Sequence, residues 1–269
     1  MKRAVISCSG GMDSTSLLLQ MLVKGYQVHA VAFLYGQKHK IELDKLQMNI
    51  NQICLNEKLK SRLIYNIIDL SILGKLFTSA LTQPGISVPE GYYTEDIMKQ
   101  TVVPNRNAIF SSIIYGYALS LANKYNQQIE ICLGVHSGDH AIYPDCRPEF
   151  YDVLIKAFKM GNWNANKVKF NLPYLKKDKY TILKDALENC NKLDLNFNII
   201  FFNTNTCYQP DINGIACGKC GSCIERIEAF MRLDKEDPVS YKDDWQTVKQ
   251  RVVDMQNKNQ EKDLFNQGE

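Results

Sequence analysis

A short polar loop near the amino terminus places the strongest constraint on the fold. Residues 9–15 read Ser-Gly-Gly-Met-Asp-Ser-Thr, follow the apolar run 4–6 and precede a run with helical character at 16–23. A strand, a glycine-containing loop and a helix in succession direct the N–H groups of the first helical turn towards an anion. Two glycines also let the backbone approach a ligand closely. We therefore predict a phosphate-binding loop within an α/β fold.

The loop differs from two common phosphate-binding motifs. No Gly-Lys-Ser/Thr follows at the spacing of a Walker A loop, and the dinucleotide signature G-x-G-x-x-G is absent. Ser14 and Thr15 are suited to capping the helix that follows. An ordinary tight turn between a strand and a helix is the alternative interpretation of these residues.

Strand-like and helix-like segments alternate along most of the chain. Residues 28–34 form a nearly continuous apolar run of the kind buried in parallel sheets. The alternation predicts a doubly wound parallel sheet of Rossmann type, with ligands bound beyond the carboxyl ends of the strands. The predicted strands are 4–6, 28–34, 61–70, 128–135, 167–172 and 195–202, and the predicted helices are 16–23, 40–54, 106–124, 149–160 and 180–189.

Length and composition limit the classes of function. The 269 residues are 45% apolar and 23% charged, which suits one large α/β domain with a small appendage, or two modest domains. The net charge of +3, without a Lys/Arg block, gives little support for direct nucleic-acid binding. No run of about 18 apolar residues is present, so no membrane span is expected. The first apolar run is too short for a secretory signal, and we expect a cytoplasmic protein.

Four of the nine cysteines are crowded near the carboxyl terminus. They follow the pattern Cys207-x9-Cys217-x2-Cys220-x2-Cys223. Short C-x2-C spacings suit the tetrahedral coordination of zinc, and four thiolates leave no open position for water. We therefore predict one structural zinc ion per chain. An iron–sulfur cluster or four unliganded thiols are the alternatives.

A polar loop after the fourth predicted strand contains candidate residues for binding a flat heterocycle. Tyr143 can stack on a ring, and Asp139 or Asp145 can accept hydrogen bonds from a purine-like amidine. Arg147 can bind a carboxylate or a phosphate. The alternative is a loop stabilised by its own turns and by a surface ion pair.

Two basic residues are candidates for anion contacts. Arg106 begins a predicted helix, where the helix dipole disfavours a cation, so we interpret it as a ligand for an anion. Lys179, just before the helix at 180–189, is a second candidate for a phosphate contact. A structural ion pair for Arg106 and a solvated side chain for Lys179 are the alternatives.

Several motifs together resemble a known family. The loop at 9–14 resembles the pyrophosphate loop, or PP-loop, of the N-type ATP pyrophosphatases. Within that superfamily the chain resembles the QueC family of 7-cyano-7-deazaguanine (preQ0) synthases, over roughly residues 3–242. The motifs that carry this resemblance lie at 68–71, 103–107, 143–150, 207–208, 216–223 and 237–241.

The resemblance implies an ATP-dependent carbon–nitrogen ligase of queuosine biosynthesis. Such an enzyme activates the carboxylate of 7-carboxy-7-deazaguanine by adenylation and uses ammonia to form the nitrile preQ0. It implies catalytic roles for Asp13, Ser14, Arg106 and Lys179, contacts from Asp139, Tyr143, Asp145 and Arg147 to the deazaguanine, a structural zinc ion and a homodimer. ATP with Mg²⁺ would bind at Cys8, Ser9, Gly10, Gly11, Met12, Asp13, Ser14, Thr15, Ser16, Leu17 and Leu18.

The expected organisation has three parts. Residues 1–200 would form a PP-loop ATP pyrophosphatase domain of the HUP-like, Rossmann-type class, and residues 201–241 a small helical zinc-binding subdomain. Residues 242–269 would form an amphipathic helix and a polar tail, because Trp245, Val248, Val252 and Met255 recur at helical spacing. That helix would dock on its own chain or on a partner.

Three other functions remain open at this point. A QueC-like paralogue would adenylate the same acid but stop at an amide, with ammonia or a protein amine as the acceptor. A zinc-ribbon-like scaffold would retain an inactive nucleotide loop, although Asp13 and Ser14 are intact. A tRNA-modifying PP-loop enzyme would bind nucleic acid, for which the small net charge gives little support.

Overall fold

The computed structural model describes residues 1–38, 40–83, 85–137 and 143–266, with side chains as far as residue 258. Within these ranges, five parallel strands form one sheet in the order β3-β2-β1-β4-β5. Val5 on the central strand is opposite His29 on one side and Ile131 on the other. The strands are β1 Arg3–Ser7, β2 Gln27–Leu34, β3 Leu63–Asp69, β4 Ile129–Cys132 and β5 Val168–Asn171.

Helices cover both faces of the sheet, so the predicted doubly wound α/β architecture is confirmed. One apolar core joins β1 and β2 to helices α1, α2, α8 and α10, and a second core joins the opposite face to α6 and α7. The α-helices are α1 Met12–Val23, α2 Ile41–Cys54, α3 Glu57–Lys60, α4 Leu73–Leu76, α5 Glu95–Thr101, α6 Arg106–Tyr125, α7 Pro148–Gly161, α8 Lys179–Lys192, α9 Phe197–Phe202, α10 Gly221–Arg232 and α11 Trp245–Asn266.

The sixth predicted strand, at 195–202, is wrong. The structure has helix α9 there, and the side chain of Asn196 caps it by accepting a hydrogen bond from the backbone N–H of Ile199 at 3.1 Å. Phe197, Ile200 and Phe201 are buried, and their spacing puts them on one face of a helix. A short apolar run fits either structure, and the asparagine cap with this spacing favours the helix.

The amphipathic helix expected after residue 242 is present as α11. Val248 and Val252 are fully buried in a third apolar core, together with Cys217 and Ile227. The helix therefore packs on its own chain, around the cysteine-rich segment. No helix in the described part of the chain is both long enough and apolar enough to cross a membrane.

A buried ion pair lies between α10 and the chain that follows it. Arg226 and Asp237 are 2% and 4% exposed, and their side chains form two hydrogen bonds of 2.6 and 2.8 Å. Arg226 also donates to the hydroxyl groups of Thr204 and Thr206, at 2.7 and 3.1 Å. One guanidinium group therefore fixes the segment 204–206 that leads to the first clustered cysteine.

Replacing Arg226 with alanine should lower the free energy of unfolding by about 3–5 kcal/mol, because a buried Asp237 carboxylate would lose its cation. Urea denaturation measures this change. Arg232→Ala is the matched control: Arg232 is on the same helix and pairs with Asp178 at 2.7 Å, but it is largely exposed. Its loss should lower the stability by at most about 1 kcal/mol. Equal effects of the two substitutions would contradict the prediction.

Candidate active site and metal centre

The glycine loop lies between the carboxyl end of β1 and the start of α1, as predicted. Gly10 has a φ of +87°, and Gly11 is the N-cap residue of α1. The hydroxyl of Ser14 folds back onto the loop, where it accepts a hydrogen bond from the backbone N–H of Ser9 at 3.1 Å. The free N–H groups of the first turn of α1 open onto a cavity, which is the geometry of an anion site.

Gly10 has no room for a side chain. A Cβ atom there would lie 2.3 Å from the carbonyl oxygen of Glu42 and 3.1 Å from the Cβ of Leu46. The first two turns of α2 therefore press directly against the loop. This contact needs glycine for two separate reasons, the left-handed backbone and the close approach.

Gly10→Ala should destabilise the protein by about 1–2 kcal/mol from the left-handed backbone and by about 1–3 kcal/mol more from the clash with α2. Gly25→Ala separates the two effects, since Gly25 has a φ of +79° but no atom within 4 Å of an added Cβ. Chemical denaturation of both variants measures the difference. A Gly10→Ala protein no less stable than Gly25→Ala would contradict the described contact.

A cavity of about 350 Å³ opens in front of the loop. A volume of this size is within the range that small-molecule sites occupy. Segments that are distant in sequence contribute to its wall, among them the loop, the chain after β2, the start of α6, the chain after β4, the start of α8 and the cysteine-rich segment. Residues predicted from the sequence that line it are Cys8, Ser9, Gly11, Met12, Asp13, Ser14, Arg106, Tyr143, Asp145, Lys179 and Cys207.

Lys179 is buried at the centre of a polar cluster beside the loop. Its Nζ donates to Asp13 Oδ2 at 3.0 Å and to His136 Nε2 at 2.8 Å, and it lies 3.5 Å from Glu225 Oε2. Asp178 places this lysine, because its side chain caps α8 by accepting a hydrogen bond from the backbone N–H of a residue in the first turn. Helices α1, α8 and α10 therefore bring three charged groups together at the end of the cavity next to the glycine loop.

The Lys179 ammonium lies between two carboxylates, those of Asp13 and Glu225. Burial would raise the pKa of Asp13, but the nearby Lys179 and His136 outweigh burial and hold that pKa below its usual value. The cluster thus presents a lysine cation, held by an ionised carboxylate and a histidine, to the cavity.

Arg106 lines another part of the cavity, at the first residue of α6. Asn105 before it has a left-handed backbone with a φ of +58°. The guanidinium carbon of Arg106 is 5.8 Å from the ring centre of Tyr35. Burial opposes the charge, yet Tyr35, Tyr208 and Asp145 outweigh burial and hold the pKa of Arg106 above its usual value. The arginine therefore stays charged and faces the ligand space.

Two residues of the loop that is predicted to bind a flat heterocycle, Tyr143 and Asp145, line the cavity. The hydroxyl of Tyr143 is 2.7 Å from Oγ1 of Thr101, and burial raises the pKa of the Asp145 carboxyl. Arg147 is exposed, occupies the N-cap position of α7 without a side-chain capping bond, and is not among the described residues that line the cavity. Asp139 lies outside the described residues.

Several residues of the cavity wall were missed by the sequence reasoning. Tyr35 and Gln37 follow β2 directly. Because ligands bind beyond the carboxyl ends of parallel strands, these two residues could have been predicted from the position of β2. Glu42 and Glu225 lie within helices, where sequence spacing gives no indication of a cavity. The further lining residues missed in this way include Tyr92, Tyr93, Asn107 and Tyr208.

The four clustered cysteines form a compact thiol centre, as the spacing predicts. The sulfur atoms of Cys207, Cys217, Cys220 and Cys223 all lie within 4.8 Å of one another. The sulfur atoms of Cys217 and Cys223 are 3.9 Å apart. Tetrahedral zinc with bonds of about 2.3 Å requires sulfur atoms about 3.8 Å apart, so the arrangement fits such an ion.

Backbone N–H groups surround these sulfur atoms. The N–H groups of Gln209 and Cys217 point at Cys207 Sγ from 3.2 and 3.3 Å, and that of Lys219 points at Cys217 Sγ from 3.4 Å. Hydrogen bonds within the thiol cluster lower the pKa of Cys217, whereas those with Cys207 raise the pKa values of Cys220 and Cys223 well above their usual range. Donors aimed at sulfur favour thiolates over thiols, which is the state that a metal ion needs.

The backbone segment that carries the clustered cysteines also forms part of the cavity wall. The backbone N–H of Asn205 donates to the carbonyl of Gly10 at 2.9 Å, and the neighbouring residues 206–208 line the cavity. On the other side, Gly91 N–H donates to the carbonyl of Lys219 at 2.8 Å, and the ring of Tyr93 packs against Gly221. The metal-binding segment therefore holds two walls of the cavity in place.

The chain is similar in sequence to known proteins of one family. A family model described as "Queuosine biosynthesis protein QueC" matches residues 3–234. The 7-cyano-7-deazaguanine synthase of Caldicellulosiruptor bescii is 42% identical over 239 residues, which cover 89% of this chain and 97% of that protein. The 7-cyano-7-deazaguanine synthase 2 of Colwellia psychrerythraea is 43% identical over 242 residues, covering 90% and 99% respectively. The synthase of Methanoregula boonei is 39% identical over 239 residues, covering 89% and 99%.

Proposed function

Because the chain belongs to the QueC family, we propose that it is an ATP-dependent carbon–nitrogen ligase that makes 7-cyano-7-deazaguanine. Its substrates are then 7-carboxy-7-deazaguanine, ATP and ammonia. The observation that supports this best is the buried Lys179 beside Asp13 and the glycine loop, which gives a site for a pyrophosphate group next to a cavity for a second molecule.

The first step is the transfer of an adenylyl group. A carboxylate oxygen of the acid attacks the α-phosphorus of ATP, the bond from that phosphorus to the bridging oxygen breaks, and pyrophosphate leaves with the electron pair. Ammonia then attacks the acyl carbon, AMP leaves with the oxygen, and one proton is released to give an amide. A second ATP activates the amide oxygen in the same way. Departure of AMP with two N–H protons lost gives the nitrile.

Residues of the chain supply positioning and charge for these steps. Loop N–H groups and Lys179 bind the departing pyrophosphate, whose negative charge grows as the bond breaks. Arg106, in another part of the cavity wall, binds the acid's carboxylate or the α-phosphate. Tyr143 and Asp145 contact the heterocycle, with the ring stacked and the amidine donors accepted by the carboxylate.

Two metal ions belong to the proposal. Asp13 Oδ1 is buried and makes no hydrogen bond within the described ranges, so it fits a ligand of the Mg²⁺ that accompanies ATP. Bound Mg²⁺ neutralises phosphate charge. Zinc is the metal proposed for the thiol centre, where four sulfur ligands leave no position for substrate. Its role there is to hold the walls of the cavity.

The test is a product assay on the purified protein with 7-carboxy-7-deazaguanine, Mg-ATP and ammonium. We expect pyrophosphate release that depends on the acid, and mass spectrometry should detect the nitrile. Release of pyrophosphate with accumulation of the amide would instead support the paralogue that stops one step earlier. No acid-dependent release of pyrophosphate would refute the proposed ligase.

A further inference from the structure

Glu42, at the first turn of α2, presents a carboxylate oxygen to the cavity. Its Oε1 accepts a hydrogen bond from Nε2 of Gln37 at 3.1 Å. Gln37 is 5% exposed and is itself fixed, since it accepts from the backbone N–H of Tyr35 at 2.7 Å and donates to the carbonyl of Phe33 at 3.1 Å. The buried Gln37 side chain is thus held by the backbone and orients the Glu42 carboxyl.

The second oxygen of this carboxyl is not bonded in the same way. Glu42 lines the cavity, and its Oε2 makes no hydrogen bond to any residue that the structure describes. Burial raises the pKa of Glu42 to about 7, despite the hydrogen bond from Gln37 and the positive charge of Arg106. A ligand that donates hydrogen bonds to this buried carboxyl would stabilise it more than any other kind of ligand.

The position of Glu42 narrows the choice of ligand group. Its backbone carbonyl lies against Gly10, so the side chain belongs to the wall next to the phosphate-binding loop. The phosphates themselves are poor partners, because the ionised form of Glu42 repels them. The neutral donors nearest to the phosphates of ATP are the two adjacent ribose hydroxyls.

We propose that Glu42 accepts hydrogen bonds from the ribose hydroxyls of ATP through Oε2, which makes it a nucleotide-binding residue outside residues 8–18. The inference rests on the proposed function, since it takes ATP to be the molecule whose phosphates occupy the loop. The amidine of the deazaguanine also carries adjacent hydrogen-bond donors. The experiment distinguishes it from the ribose of ATP.

The experiment compares ATP with 2′-deoxy-ATP and 3′-deoxy-ATP in the pyrophosphate-release assay. For the unaltered protein, we expect KM to be about tenfold or more higher for at least one deoxy analogue, which is the loss of one hydrogen bond to a charged group. Glu42→Ala should raise KM for ATP by a similar factor, leave kcat much less affected and bind all three nucleotides alike. Asp44→Asn, an exposed carboxyl on the same helix, should retain the preference of the unaltered protein.

Three results would overturn the inference. One is a Glu42→Ala protein that still prefers ATP over its deoxy analogues. Another is an unaltered protein without such a preference. The third is a variant that no longer distinguishes the deazaguanine acid from an analogue without the 2-amino group but keeps its ribose preference, which would assign Glu42 to the heterocycle.

A binding measurement covers two further cases. If Glu42→Ala does not fold, Glu42→Gln keeps the shape of the side chain and should show a reduced preference in the same comparison. If the unaltered protein releases no pyrophosphate, the proposed function fails, and calorimetric titration with ATP and 2′-deoxy-ATP still tests the ribose contact. A tenfold weaker affinity for a deoxy nucleotide that disappears in the variant would support it, and equal affinities would refute it.

Discussion

Replacing Lys179 with methionine should lower kcat/KM for acid-dependent pyrophosphate release by about 10²–10³, which is typical for the loss of one charged or preorganised donor. The side chain is buried, and its ammonium lies 3.0 Å from Asp13 beside the loop. Methionine fills similar space without charge. Steady-state kinetics with the deazaguanine acid and ATP measure the effect.

Controls separate the charge from the packing. Lys176→Met removes an exposed lysine just before the same helix and should leave kcat/KM within about twofold, since surface substitutions rarely matter. Lys179→Arg keeps the charge and should recover part of the lost activity. If the Lys179→Met protein is fully active and its melting temperature is unchanged, Lys179 has no role in catalysis.

The second large effect concerns the metal centre. Cys220→Ser should abolish stoichiometric zinc binding and unfold the carboxyl-terminal segment, because structural zinc contributes about 10–16 kcal/mol in small zinc domains. Cys220 is 1% exposed, and its neighbours Ile224 and Ile227 are fully buried in the same core. Metal analysis of the purified protein and thermal unfolding measure the two consequences.

Cys54→Ser provides the comparison, because Cys54 is a thiol outside the cluster. It should retain one zinc ion per chain and lose little stability. Full zinc content in Cys220→Ser, or an absence of zinc from the unaltered protein, would contradict the assignment. Iron in place of zinc would favour a cluster of iron and sulfur.

Most of the sheet could be predicted from the sequence, because buried parallel strands are continuous apolar runs. The segment at 28–34 is the clearest case, and it forms β2. The error at 195–202 shows the limit of that signal. Eight residues rich in Phe and Ile satisfy a strand or a helix equally, and the choice depends on Asn196 and on the core that receives Phe201.

The site was predictable where local sequence determines geometry. Glycines at a strand end and paired cysteines form their sites within a few residues, so the loop and the thiol centre were found. Glu42 and Glu225 reach the cavity only because α2 and α10 pack where they do, and no local pattern records that packing. The environment of His136 depends in the same way on two helices distant in sequence.

The hydrogen bond between Asn205 and Gly10 sets a limit on how this protein can diverge. Only Thr206 separates Asn205, tied to the loop, from Cys207, tied to the thiol centre. One inserted residue there would displace one end or the other by about 3.8 Å, more than either hydrogen bonds or sulfur ligands can absorb. The turn at Ile212, which is 94% exposed, has no such restriction. Length variation among relatives should therefore occur after Gln209 and be absent between 205 and 207, and within this segment an affinity tag or reporter should be inserted at that turn.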